Sequence, residues 1–371
     1  LCLGGIYAWS ELVPPLRAAY GYSAAQTQWV FGLTIASFTL TMIGAGRLLY
    51  LWGPRLVAMT GGLLFAAGYL TSAVAGHSFA GLLAGSGLLA GAGIGFGYVS
   101  PLAMVIASFP GRKGLAGGIA VAGFGGGAIL TSWLVAAALE GGSPLSRVFR
   151  GLGFGFGLLI VGASFLLRRP AGPPAARPPD LHPAQLWKDA YLRLLFIGMF
   201  CGTFAGLLLV GNLKPIGLSE QIAPATATLA ISLFALGNAA GRIAWGWWSD
   251  RSGFPVIRWS LVLLAVGALG LLPARAHGVL FLAVSMLVGF GFGACFSVYA
   301  SLVAARYGAA HVGGLYPLVF LSYGLAGILG PTLGGYLYDV SGTYLPAILL
   351  AAATAAAGAV LARPTAPAPR G

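Results

Sequence analysis

Charge is what this chain has least of. Only 7% of its 371 residues are charged, with seven acids against twenty basic residues. A soluble domain carries about 25% charged residues, so this composition excludes a water-facing surface over most of the molecule. Histidine and cysteine are equally scarce. His77, His182, His277 and His311 fall at expected loops or helix ends. Cys2, Cys201 and Cys295 fall in apolar segments with no metal-ligand spacing, which reads as buried thiols. No His-Glu-x-x-His run and no pair of intramembrane carboxylates occurs, so membrane metalloprotease and aspartyl protease chemistry is missing. Neither a cofactor nor an enzymatic activity is expected.

What the chain does have is hydrocarbon and glycine. Hydrophobic residues make up 58% and glycines number 60, with a mean hydropathy of +0.90. Transmembrane helices pack through small residues. The net charge of +13 could suggest nucleic acid, but the basic residues are dispersed in short loops, which is a topology signal. No nucleic-acid partner is expected.

The hydrophobic runs separate into twelve, at 1–17, 24–46, 55–76, 79–108, 114–139, 149–167, 191–213, 225–248, 255–275, 278–304, 312–338 and 343–362. This predicts an all-α membrane protein of twelve transmembrane helices. The first run is already apolar at Leu1 and short for a span, which predicts a natural chain that begins earlier. Between the sixth and seventh runs, Arg168–Asp189 is rich in proline and reads as an extended, semi-rigid linker. The expected organisation is a six-helix bundle over 1–167, a linker over 168–189 and a second six-helix bundle over 190–371.

With that linker inside, Arg47, Arg55, Arg112, Lys113, Arg168, Arg169, Arg177, Lys188, Arg193, Arg251, Arg258, Arg306, Arg363 and Arg370 are cytoplasmic. The other side keeps only Arg17, Arg147, Arg150, Lys214 and Arg275. The bias places both termini and the linker in the cytoplasm. A monomer in the plasma (inner) membrane, surrounded by lipid, is expected.

The halves repeat. Gly46-Arg-Leu-Leu-Tyr50-Leu-Trp-Gly53 follows the second run and Gly246-Trp-Trp-Ser-Asp250-Arg251-Ser-Gly253 the eighth, 200 residues on. Gly93-Ile-Gly95-Phe-Gly97 matches Gly289-Phe-Gly291-Phe-Gly293 at 196, as Gly117-Gly118 matches Gly313-Gly314. Parallel six-helix repeats are the plan of one large transporter fold.

One residue breaks the hydrocarbon. Thr226–Trp248 is 23 residues long, enough to cross a core of ~30 Å. Arg242 lies eight residues before Asp250, hence ~12 Å deep at ~1.5 Å per residue. An arginine there costs roughly 2.5–3.5 kcal/mol on the lenient scales. Glu11, Glu140, Glu220, Asp250 and Asp339 all fall near helix ends, so no permanent partner is evident. An anion that comes and goes is the simplest one.

These residues resemble the major facilitator superfamily, whose loop signature G-x-x-x-D-R-x-G stands intact at Gly246, Asp250, Arg251 and Gly253. In the first half Tyr50 replaces the aspartate and Leu51 the arginine. The resemblance implies a gating role for the intact copy. Within the superfamily the chain is similar to the oxalate/formate antiporter and monocarboxylate transporter group. The similarity rests on Gly5-Ile-Tyr7-Ala-Trp9-Ser10 with Pro14-Pro15-Leu16, on Gly97-Tyr98, on Gly111-Arg112-Lys113-Gly114-Leu115-Ala116 and on Asn238-Ala-Ala-Gly241-Arg242.

That resemblance implies that Arg242 holds a substrate carboxylate, with binding roles at Asn238, Tyr7, Tyr98, Tyr299 and Tyr323. Two departures matter. Animal proton-coupled relatives carry an aspartate where this chain has Asn238, and oxalate antiporters a lysine in helix 11 where Val312–Tyr338 has none. A single intramembrane cation fits a monoanion.

Bland readings stand beside these. Asn238 can bond a neighbouring helix instead of a ligand, and so can each buried tyrosine hydroxyl. Tyr316, Tyr336, Tyr338 and Tyr344 lie near run ends and read as interfacial. Gly85 to Gly97 follow no strand and read as small-residue packing. Glu11, near the outer end of the first run, suits a gate better than a central proton site.

The expected function is secondary active transport of a small organic monocarboxylate such as lactate, pyruvate or formate, coupled to protons, by alternating access. Carboxylate exchange is the alternative coupling. A drug or sugar facilitator would want cavity acids or an amide-rich lining, of which the runs offer few. A non-transporting sensor or scaffold would want an effector domain, for which Arg363–Gly371 is short.

Overall fold

The computed structural model describes residues 1–108, 113–167, 188–274, 277–307 and 309–362, and their regular structure is helical throughout. Of the expected linker over 168–189, residues 168–187 lie outside the described residues, as do residues 109–112, with Gly111 and Arg112.

Helix α1 begins as a 3-10 helix over Cys2–Glu11 and continues as an α-helix over Val13–Tyr20. Then come α2 (Ala24–Leu49) and α3 (Leu51–Ala75). Helix α4 runs from Phe79–Leu82 through a π-helical stretch, Leu83–Ala90, into Gly91–Ser108. Helices α5 (Lys113–Glu140) and α6 (Leu145–Ser164) complete the first half. The second half holds α7 (Ala190–Gly211, continued by Leu213–Ser219), α8 (Pro224–Ser252), α9 (Pro255–Gly270), α10 (Gly278–Tyr307), α11 (Ala309–Ser341) and α12 (Leu345–Leu361).

Nine of these stretches among the described residues are long and apolar enough to cross a membrane unaided. The other three are α1, broken at Leu12, and the shorter apolar helices α9 and α12. The core is mainly apolar, as in a soluble protein, but the exposed surface is apolar too and small polar residues are buried among the helices. Val74, Leu158 and Val279 are 78%, 67% and 84% exposed, whereas Thr203, Ser285 and Ser322 are fully buried. These three hydroxyls bond carbonyls of their own helix, as in Thr203 Oγ1 to the Met199 carbonyl at 2.7 Å, and so need no partner from another helix.

The helix ends follow local chemistry. Ser23 and Gln26 form a reciprocal cap on α2 at 3.1 and 2.9 Å. Asp189 caps α7 through the amides of Tyr191 and Leu192 and also accepts from Tyr307 Oη at 2.6 Å. Burial works to raise its carboxyl, but the Tyr307 hydroxyl, the two amides and nearby Arg306 together hold it below its ordinary range. In the two loop motifs, Gly53 and Gly253 both take positive φ, 78° and 63°. Only glycine adopts that conformation readily, so the last glycine of each motif turns the chain for the same reason in both halves.

Packing also fixes the register of the repeat. A Cβ at Gly91 or Gly95 would stand 2.6–2.7 Å from the carbonyls of Thr34 and Phe38, and one at Gly289 or Gly293 would stand 2.0–2.5 Å from those of Phe234 and Asn238. The second set of carbonyl residues lies 200 positions beyond the first, so Gly91 corresponds to Gly289 and Gly95 to Gly293, each 198 apart. The register of 196 expected from the glycine strings is therefore two residues off in α4. Glycine spacing repeats every two residues there, and only contact with α2 and α8 selects the right frame.

The halves meet mainly through α2 against α11 and α5 against α8. These pairs exchange under the repeat, since α2 corresponds to α8 and α5 to α11. The interface is thus two-fold in character, and it crosses the depth at which Arg242 sits.

Candidate functional site

Arg242 is 2% exposed and lies on α8 where that helix faces α5. Its Nε donates to Asn238 Oδ1 at 3.0 Å, one turn earlier on the same helix. Its Nη1 donates to the Val121 carbonyl at 2.8 Å, across the interface between halves. The guanidinium lies over the Phe296 ring, 4.2 Å from its centroid. A desolvated cation–π contact of that kind contributes about 2 kcal/mol. Among the described residues no carboxylate pairs with Arg242, and Arg242 Nη2 and Asn238 Nδ2 have no hydrogen-bond partner. Leaving a buried donor unpaired costs about 1–3 kcal/mol, and more on a charged group. Two such donors a turn apart form a cradle for an acceptor.

Above the cation the interface is aromatic. Tyr7 on α1 and Tyr323 on α11 share a hydrogen bond at 3.0 Å, both fully buried. Phe38, Tyr98 and Phe124 from the first half interlock with edge and tilted contacts of 5.1–5.8 Å. Phe292, Phe296, Phe320 and Tyr323 form the opposing wall. Phe38 to Tyr323 at 6.0 Å and Tyr7 to Phe292 at 6.0 Å close the box between the halves. Such rings present apolar faces and edges with few hydrogen-bonding groups.

The structure brings most of the expected residues together. Arg242, Asn238, Tyr7, Tyr98 and Tyr323 belong to this one cluster. Tyr299 is placed elsewhere. A Cβ at Gly198 would stand 3.2 Å from its hydroxyl, which therefore points toward α7, beside Ile257, and carries no hydrogen bond among the described residues. The interfacial reading fails for two tyrosines. Tyr316 is half-buried with its ring 5.5 Å from Phe320, which joins it to the aromatic wall. Tyr344 is 1% exposed and stacks on Tyr338 at 4.3 Å. It sits near a helix end, beside a cleft that α1 and the α7 continuation also line.

Phe296, Phe124 and the Val121 carbonyl were not legible as site groups. The spacing of Phe292 and Phe296, one turn apart on α10, is the sequence signal that could mark the wall.

The sequence profile of the Major Facilitator Superfamily matches residues 2–216 and again residues 195–371. The chain belongs to the Major Facilitator Superfamily. Among members of this transporter superfamily, monocarboxylate transporter 11 of Mus musculus is 30% identical over 359 residues, 91% of this chain and 78% of that protein. The oxalate:formate antiporter of Oxalobacter formigenes is 27% identical over 339 residues, 88% and 79% of the two chains. The partially occluded inward-open conformation of the xylose transporter XylE from E. coli shares the fold, with a TM-score of 0.68 over 97% of this chain and 94% of that one, at 13% identity.

In this facilitator the loop-signature residues lie at the end of the bundle away from Glu11. Asp250 is exposed. Arg251 lies over Trp247 at 3.7 Å and reaches the Trp247 carbonyl at 3.4 Å. Gly246 approaches Ser297 of α10, and Gly253 makes the turn into α9. Of Tyr50 the structure describes the backbone alone. The hydrogen bonds described between the halves cluster at the centre and at the Glu11 end. There, Gln28 Nε2 donates to the Gly211 carbonyl at 2.7 Å, Asp339 accepts from the amides of Ala24 and Ala25, and Trp133 Nε1 donates to Ser232 Oγ.

Proposed function

We propose that this facilitator carries small organic monocarboxylates, of the lactate, pyruvate and formate type, with the carboxylate held by Arg242 between the halves. The observation that carries this reading is the unpaired Arg242 Nη2 beside the unpaired Asn238 Nδ2 in a buried site without a carboxylate partner among the described residues. A carboxylate ~4 Å from the guanidinium at an effective dielectric near 20 gains roughly 4 kcal/mol, which offsets part of its dehydration and still permits release. One cation matches one anionic charge. The aromatic box of Tyr7, Tyr98, Phe124 and Phe296 suits a short apolar tail. The names of the relatives, monocarboxylate transporters and an oxalate:formate antiporter, support the same substrate class.

Alternating access would follow from rocking of the halves about this site. Their bundles are 1–167 and 190–371, joined by a linker through 168–189, with termini and linker cytoplasmic. Proton symport is the favoured coupling, because a monocarboxylate and a proton together carry no net charge across. Exchange of one carboxylate for another is the second reading. It is favoured by the amide of Asn238, which leaves Arg242 bonded to a group that does not titrate.

The test is counterflow in proteoliposomes with a panel of mono- and dicarboxylates, repeated with empty liposomes under an inward proton gradient. Exchange of monocarboxylates alone supports the site reading, and accumulation in empty liposomes supports symport. Uptake that needs a preloaded carboxylate shows exchange. Transport of sugars or cations with no carboxylate exchange overturns the proposal.

A further inference from the structure

The one buried ion pair described between the halves lies away from the central cation. Lys214 Nζ bonds Glu11 Oε2 and also donates to Thr228 Oγ1 at 3.0 Å. Glu11 belongs to α1 in the first half, whereas Lys214 and Thr228 belong to the α7 continuation and to α8 in the second. The Glu11 side chain is fully buried and that of Lys214 is 12% exposed.

Both partners sit beside breaks in their helices. Glu11 is the last residue of the 3-10 segment, and Leu12 begins the change to α-helix over Val13–Tyr20. Lys214 follows Asn212, where α7 stops at Gly211 and restarts at Leu213. Asn212 turns its amide back to the Leu208 carbonyl at 2.9 Å, so the interruption is stabilised locally. A pair held at two interruptions can separate by rotation there, without bending a continuous rod.

The pair is also incompletely satisfied, since Glu11 Oε1 has no hydrogen-bond partner among the described residues. A buried ion pair repays its desolvation only when its remaining lone pairs are bonded. This one repays its desolvation only in part, which suits a contact that must be made and broken. It reports to the centre as well, because Tyr7, bonded to Tyr323 in the aromatic box, lies on the same 3-10 segment as Glu11.

We propose that Glu11, Lys214 and Thr228 form an electrostatic latch that keeps the Glu11 end of the transporter closed, and that its partners part about Leu12 and Asn212 when that end opens. The inference rests on the transporter reading above, and its test does not need a substrate. A reporter cysteine at Leu218, which lines the cleft between halves with Val13, Arg17 and Tyr338, is placed in a Cys2→Ala, Cys201→Ala, Cys295→Ala protein. Its maleimide labelling rate is measured in detergent, with monodispersity and melting temperature as folding controls.

Glu11→Gln and Lys214→Gln should each raise the labelling rate severalfold, and Glu11→Lys, which opposes two cations, should raise it further. The exchange Glu11→Lys with Lys214→Glu should return the rate toward wild type. Rates unchanged in folded single variants overturn the latch, as does an exchanged pair that labels as fast as Glu11→Lys alone. A wild type that moves no carboxylate would defeat the substrate proposal and leave these labelling rates to decide the latch.

Discussion

Arg242 and Val121 face each other across the two halves, with Nη1 donating to the carbonyl at 2.8 Å. The bond ties a buried cation on α8 to the backbone of α5 and leaves Nη2 for a ligand. Arg242→Gln should therefore abolish carboxylate exchange in a protein that still inserts and folds. Arg242→Lys should be impaired too, because a point-charge ammonium cannot bond Asn238, Val121 and a ligand in one plane. Counterflow by purified variants checks both, and wild-type exchange by a folded Arg242→Gln protein would sink the assignment.

Phe296 supplies the face on which the guanidinium rests. Losing about 2 kcal/mol of cation–π attraction corresponds to roughly 30-fold in affinity. Phe296→Leu should raise KM toward that limit, whereas Phe296→Tyr should leave KM near wild type. The comparison is made by initial uptake rates over a range of substrate concentrations. Equal KM values in the two variants would show that the ring serves only as packing.

Tyr7 and Tyr323 satisfy one another across the interface. Either single change to Phe strands a buried hydroxyl, at about 1–3 kcal/mol. The double change removes both groups and should recover part of that loss. Thermal melts of the four proteins give the coupling directly, and strictly additive losses would contradict a working pair.

Asp250 stands exposed at the end of α8, beside the turn at Gly253. Its role is expected in holding the Asp250 end closed in another conformation, so Asp250→Asn should lower kcat with little change in KM. Tyr50→Phe, in the degraded copy, should be nearly silent. A large KM effect with normal turnover in Asp250→Asn would overturn this.

Gly289 fits against the Phe234 carbonyl so closely that an added Cβ would lie 2.0 Å from it. Gly289→Ala must push α10 from α8, with a destabilisation of about 1–3 kcal/mol. Gly123, with open space around its Cβ position, should accept alanine without loss. The two melting temperatures, measured side by side, test whether the glycines act through close approach.

The sequence by itself determined the class, the helix order and the cation. Hydropathy has a long period and needs no partner, so the boundaries of α2, α7 and α8 could be read directly from apolar runs and their breakers. The depth of Arg242 follows from counting residues along one rod. Gly53 and Gly253 carried their turn because positive φ is a local property of glycine. Tertiary structure decided everything that depends on which faces meet. Glycine strings with a two-residue period cannot choose their own register, and only the carbonyls of Phe234 and Asn238 showed that α4 and α10 align 198 apart. Tyr299 and Tyr98 looked alike in sequence, yet rotation of α10 turns the first toward Gly198. The same packing of α10 against α8 places Phe296 under the guanidinium. Glu11 and Lys214 lie about two hundred residues apart, and nothing local marks them as a pair. Their meeting depends on the halves closing at one end, which is a property of the assembled bundle.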